Sequence, residues 1–192
     1  MTTDLHQILD DCWRMLFRAT QDKKSPLRTP AFVSVSPEGL PQARTLVLRK
    51  VERQTRLLRA YTDARAEKVS DLRAQPEVVW LFYHPRQQQQ LRLRATVHIH
   101  HNDPTTAHIW QQLPPFARKN YATQQPPGTP TETLTNGLLP DWPTQTDAAY
   151  AHFVVLDTFV YAIDWLYLHP EVQHRARFRW QNDDWQKYWC IP

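Results

Sequence analysis

The sequence predicts a mainly β protein: a closed or half-open barrel of antiparallel strands with a few peripheral helices. Three observations carry this. Short segments rich in β-branched and aromatic residues recur between residues 32 and 191, several with apolar residues at alternate positions. Strand patterns do not alternate with helical ones as a parallel sheet requires, and there is no internal repeat. The 192 residues, 41% apolar and 11% aromatic, are enough to enclose one core, so a single domain over residues 1–192 is expected.

The elements follow in order. Over residues 4–20, Leu5, Ile8, Leu9, Cys12, Trp13, Leu16 and Ala19 share one stripe at helical spacing, with Thr2 or Thr3 as cap and Asp4 in the first turn. Lys23, Lys24, Ser25 and Pro26 end this helix. Residues 32–35 then read as a strand leading to a turn at Pro37, Glu38 and Gly39. The return strand is expected over 42–50 and a third strand over 56–62. Residues 64–74 suit a short helix, with Val69 and Leu72 inward and Pro76 as its stop. Residues 78–83 form an almost continuous apolar strand. From 90 to 100 the pattern alternates, with Leu91, Leu93 and Ala95 on one face and Gln90, Arg92 and Arg94 on the other. Asp103 and Pro104 open a helix through Trp110. Residues 113–146 turn to Pro, Gln and Thr, a long surface excursion whose one helical turn spans 116–121. Strands over 153–160, 161–168, 175–181 and 185–191 complete the barrel, the last two joined at Asn182, Asp183 and Asp184.

Composition excludes several functions. A net charge of +4, from 23 basic and 19 acidic residues spread along the chain, is too balanced for a dedicated nucleic-acid binder. No apolar run reaches the length of a membrane span, and the first twenty residues carry no apolar signal segment. Cys12 and Cys190 lie at opposite ends of the chain without metal-clamp or disulfide-framework spacing, which suits a reducing cytoplasm. Three Gly against sixteen Pro leave no glycine-lined phosphate loop, so any phosphate must be held by side chains.

Such side chains are present. Arg44 and Arg49 bracket one apolar strand; Tyr61, Thr62, Arg65 and Lys68 follow the next; Gln90, Arg92 and Arg94 line another. Unpaired guanidinium groups are costly in a core, so these positions call for water, an acid or a bound anion. One reading is a site for a phosphate and a polar ring. The plainer one is a set of solvated arginines on an antiparallel sheet. Arg44 and Arg49, five residues apart, fall on opposite faces of an ideal strand, so a bulge, a strand end or a subunit boundary must intervene for both to meet one ligand. His98, His100 and His101 offer an i, i+2 pair, but only Asp103 stands near as a further ligand, and no metal site is expected. Trp13, Trp80, Trp110, Trp165 and Trp185 sit at apolar-periodic positions and read as core or interface filling.

The order and spacing of these pieces resemble the pyridoxamine 5′-phosphate oxidase-like FMN-binding split barrels, in their shorter branch. The likeness runs through Arg44 to Arg49, Tyr61 to Arg65, Lys68, the strand from Pro76 to Tyr83, Gln90 to Arg94, His174 to Phe178 and Trp185, nearly the whole chain. It implies a split β-barrel of Greek-key, FMN-binding type and a homodimer with FMN at the interface. The activity implied is that of an oxidoreductase on a small substrate not specified by sequence. The cofactor-binding set it implies is Arg44, Thr45, Leu46, Val47, Arg49, Tyr61, Thr62, Arg65, Lys68, Gln90 and Arg177. Arg44 and Lys68 would hold the phosphate, Arg49 would approach the ring, Tyr61 and Thr62 would line the cofactor, Gln90 would reach the ring's polar edge, and Arg177 would contact the flavin across the dimer. No catalytic residue is implied. Ala66 stands where the family usually has Ser, Glu67 where the true oxidases have a second basic residue, and Ala95 where Gly is usual. Gln173 and Arg175 replace the Arg and His that grip the vitamin phosphate, which argues against pyridoxamine phosphate oxidation. The alternative from another class is a non-catalytic split barrel that binds haem, another small ligand or a protein partner.

Overall fold

A computed structural model of the chain describes residues 4–132, 134, 137–138 and 146–192. Helix α1 (Leu5–Gln21) buries Ile8, Leu9, Cys12, Trp13, Leu16 and Ala19, the predicted stripe. Its N-cap is Asp4, whose carboxylate accepts from the His6 backbone N–H, so Asp4 precedes the first turn; Thr2 and Thr3 lie outside the described residues. Strands β1 (Ala31–Val35) and β2 (Pro41–Thr45) form the first hairpin, and Gly39 takes the left-handed conformation its turn requires (φ +84°).

The expected return strand over 42–50 is broken. β2 ends at Thr45, and the backbone N–H groups of Leu46 and Leu48 donate to Pro30 and Arg28. The Arg49 N–H then donates to the Arg59 carbonyl, beside β3 (Lys50–Glu52) and β4 (Leu57–Asp63). Residues 46–49 therefore cross from one part of the sheet to another. Helix α2 (Glu67–Ala74) follows, three residues shorter than predicted at its start, and then β5 (Glu77–His84) and β6 (Gln89–His101). β6 keeps the predicted alternation, with Leu91, Leu93 and Ala95 buried.

Helix α3 (Pro104–Gln112) is capped by Asp103, which exchanges hydrogen bonds with Thr106. The excursion after it opens with the helical turn expected over 116–121. Helix α4 (Pro115–Arg118) and a 3₁₀ turn (Lys119–Tyr121) bury Tyr121 against Trp110 and Phe153, in a second apolar cluster outside the barrel. Part of the remaining excursion lies outside the described residues. Helix α5 (Thr146–Tyr150) leads into β7 (Phe153–Leu168), β8 (Gln173–Gln181) and β9 (Asp184–Cys190).

The two strands predicted over 153–168 are one strand of 16 residues. Ala95 pairs with Val160 and Arg94 with Ala162, so Tyr161 is an extra residue that bulges the ladder without ending it. β7 pairs with β6 on one side; on the other it pairs first with β4, through Phe153–Phe159, and then with β8, through Ala162–Leu168. The nine-stranded sheet runs β2-β1-β5-β6-β7-β4-β3, with β8 and β9 branching from β7, and every pairing is antiparallel. This is the mainly β split barrel. Asn182 and Asp183, both at positive φ, make the tight turn between β8 and β9.

The five tryptophans read as packing residues are all buried. Trp80 stacks near Phe32 and Phe82 and donates Nε1–H to Thr158 Oγ1, which donates in turn to the Leu58 carbonyl; the barrel interior is thus apolar with one satisfied polar chain. Trp13 of α1 meets Trp185 of β9, closing one end. Among the described residues no helix is long and apolar enough to cross a membrane.

Candidate functional site

Arg44 lies on the edge strand β2, opposite Phe32 of β1, at the point where the apolar face gives way to polar groups. Its Nη1 donates to Ser34 Oγ at 2.6 Å and to the Gln42 carbonyl at 2.9 Å, which fixes the guanidinium, and Nε and Nη2 make no hydrogen bond among the described residues. Lys68, in the first turn of α2, donates from Nζ to Thr62 Oγ1 of β4 at 3.2 Å. Burial lowers the pKa of Lys68 and the charge of Arg44 lowers it further, against Asp63, Asp71 and Glu67. Burial likewise lowers that of Arg44, with Asp71 and Glu67 opposing. Two cations from different elements are therefore held together, and neither forms an ion pair among the described residues.

The start of α2 adds donors. Ala66 occupies its N-cap position, and no side chain caps the helix, so its first backbone N–H groups have no hydroxyl or carboxylate partner. Glu67 is exposed and does not pair with Arg65. Asp71, one turn further on, is buried, with Oδ2 unpartnered among the described residues.

Arg49 follows the crossing segment, its guanidinium 5.4 Å from the centre of the Tyr61 ring. Burial raises the Tyr61 pKa, with Arg59 and Arg49 opposing. Burial also pushes up Tyr121, again against Arg49, so both phenols feel this one cation. The strand end at Thr45 resolves the parity conflict between Arg44 and Arg49. Thr45 closes β2, Leu46 and Val47 lie in the crossing segment, and Tyr61 and Thr62 lie on β4.

Three predicted residues stand apart from this group. Arg65 makes a two-pronged pair with Asp63 (Nε–Oδ1 3.0 Å, Nη2–Oδ2 2.8 Å) and donates to the carbonyl and hydroxyl of Thr123, so it ties the excursion to β4. Gln90, part-buried on β6, pairs across the ladder with Tyr83 and Leu166. Arg177 on β8 donates to Asp164 Oδ2 at 3.1 Å. Counting across the sheet, β1, β5, β6 and β7 separate Arg44 from Arg177, and no contact joins them within one chain among the described residues.

Sequence reasoning missed Ser34, Asp71 and Asp164. Asp164 collects Arg175 (2.9 and 2.8 Å), Arg92 (2.8 Å) and Arg177. Ser34 shares the parity of buried Phe32, and a hydroxyl at a core-facing position was the available signal. Of the three histidines considered for metal, His100 lies between Asp103 (2.6 Å) and Asp157 (3.4 Å). Among the described residues no three His, Cys, Asp or Glu side chains converge on one point.

A split barrel with paired cations at the edge of its first hairpin defines the class of this protein. Residues 10–101 match the family model of the pyridoxamine 5′-phosphate oxidase FMN-binding domain, which contains every element of the Arg44 and Lys68 group. That match covers just under half of the chain, and structural likeness extends the fold over the rest. A Nostoc punctiforme protein described as pyridoxamine 5′-phosphate oxidase-related and FMN binding superposes with a TM-score of 0.79 at 24% identity, covering 100% of both chains. PhzG from Burkholderia lata, solved with tetrahydrophenazine-1-carboxylic acid, gives 0.70 at 14% identity over 96% of this chain and 91% of its own. A Clostridium acetobutylicum protein related to general stress protein 26 gives 0.52 at 11% identity over 92% and 95%. No curated protein matches the sequence.

Proposed function

We propose that this protein binds FMN and acts as an oxidoreductase on a small substrate. The observation that carries this reading is the pair of part-buried cations Arg44 and Lys68: the charge of Arg44 acts on Lys68, neither is in an ion pair among the described residues, and Lys68 stands beside Thr62 at an uncapped helix start. A phosphate monoester supplies the missing counter-charge. A guanidinium fork, an ammonium and backbone N–H groups are the donors that suit it. The residues fit the group: Ala66 removes one hydroxyl, but this leaves the α2 backbone donors open, and Glu67 is exposed.

Arg44, Lys68 and Thr62 would hold the phosphate, and Leu46, Val47 and Tyr61 would line the remainder. When bound, FMN supplies electron or hydride transfer. Arg49, held near Tyr61, places positive charge where it favours added negative charge on a ring. Gln90 and Arg177 form no hydrogen bond or ion pair with Arg44 or Lys68 among the described residues, and a homodimer completes the site in this reading. Free Cys12 and Cys190 suit a reducing cytoplasm.

The test is purification and denaturation. A yellow protein that releases FMN in about one equivalent per chain supports the reading. A colourless protein that takes up no added FMN refutes it and leaves the non-catalytic barrel.

A further inference from the structure

On the outward face of β6, β7 and β8, the register stacks two rows of side chains. In one row Arg92, Asp164 and Arg177 stand side by side; in the next stand Arg94, Ala162 and Arg179. The first row has its own counter-charge, because Asp164 accepts from both flanking arginines and from Arg175. The second row has a methyl group in that place. Arg94 and Arg179 are exposed and form neither hydrogen bond nor ion pair among the described residues.

With neighbouring strands about 4.8 Å apart, the two unpaired arginines flank Ala162 across a gap of roughly 10 Å. The charges of both act on the phenol of Tyr161, against burial and Glu77. The other carboxylate on this side, Glu77, is already engaged by Tyr161 and Thr96. Arg92, Arg94, Ala162, Arg177, Arg179 and Tyr188 line a cleft of about 140 Å³. A cleft of this size suits the anionic end of a small molecule.

We propose that this cleft binds the phosphate or carboxylate end of a small molecule, with Arg94 and Arg179 as its direct ligands over Ala162. The bound oxyanion repeats in the second row what Asp164 does in the first. The Asp164 carboxylate meanwhile holds Arg92 and Arg177 in place at the edge of the cleft. That this anion is the substrate's rests on the flavoprotein reading above; the anion site itself does not.

The experiment is calorimetric titration of the full chain, with and without added FMN, using inorganic phosphate and succinate in chloride buffer. Binding of either probe is expected, and phosphate against succinate tells which oxyanion the cleft prefers. The double variant Arg94→Gln, Arg179→Gln should weaken binding at least ~10-fold, the loss of one charged hydrogen bond or more. The variant Ala162→Asp supplies an internal carboxylate and should abolish binding while the melting temperature holds or rises. FMN content, read separately by absorbance, should be unchanged in both. Success in protein that takes up no FMN would refute the flavin reading and leave the anion site standing. Failure of both probes to bind, unchanged affinity in either variant, or a change in sedimentation in place of anion affinity would overturn the proposal.

Discussion

Replacing Arg44 by alanine separates a ligand-binding role from a structural one, because the two predict effects on different quantities. The guanidinium spends one nitrogen on Ser34 and Gln42 and keeps two for a ligand. If these meet a phosphate, Arg44→Ala removes a charge-assisted hydrogen bond of about 1.5–3 kcal/mol. FMN affinity then falls by ~10–150-fold. For the fold, two neutral-acceptor bonds are lost at about 1 kcal/mol each. Their loss is partly offset by relief of the Arg44 repulsion that adds to burial in lowering the Lys68 pKa. The melting temperature of the FMN-free protein should therefore move by only a few degrees, at ~2–4 °C per kcal/mol for a chain of this size. Fluorescence titration of FMN and calorimetric melting read the two quantities independently. An FMN affinity within about twofold of the parent, with a large drop in melting temperature, would refute the assignment, since ~0.4 kcal/mol is far below a charged hydrogen bond.

FMN affinity should depend on the ammonium of Lys68. Its folded pKa lies below the ordinary 10.5, lowered by burial and then by Arg44, so affinity falls as pH rises through that lowered value, earlier than an ordinary lysine would give; Lys68→Met should abolish this fall in a titration series. Burial alone would raise the Asp164 pKa, but hydrogen bonds from Arg175, Arg177 and Arg92 outweigh it and hold the carboxyl below its ordinary value. Its contribution is present above an unfolded pKa near ~3.9 and is lost as pH falls through the folded one. Asp164→Asn should cost ~1–3 kcal/mol in urea unfolding at pH 7, discounted because two of its partners are well exposed, and almost nothing in strong acid. Arg65→Ala should free the Thr123 segment, and limited proteolysis should then cut after residue 118 severalfold faster with little change in the barrel's melting.

The barrel was legible because burial imposes a period of two that side chains cannot hide. Leu91, Leu93 and Ala95 against Arg92 and Arg94 gave the orientation of β6 directly. What failed were continuity and termination. Residues 46–49 keep a strand-like composition, but their N–H groups are claimed by Pro30 and Arg28, partners set by the tertiary fold. A bulge at Tyr161 leaves no mark in composition, so one long strand read as two. Arg44 and Lys68 were legible as charges, and their convergence was carried by the family resemblance. Arg65 could not be assigned from sequence, because its partner Thr123 lies 58 residues away in a segment without periodic pattern. The arginine rows were visible as Arg92 and Arg94 alone; Asp164, the carboxylate that organises them, sits within an apolar run and pairs across strands.

The long seventh strand also constrains the protein during synthesis. β4, β6 and β8 each depend on β7 for a backbone partner, yet its first residue is Phe153. When the ribosome has made the first 150 residues, the β1, β2, β5 and β6 ladder can assemble, but β6 and β4 still present open edges. Such edges invite pairing with other chains. A nascent polypeptide stalled before Phe153 would thus be sticky and protease-sensitive, and the emergence of β7 decides whether it becomes a barrel or an aggregate.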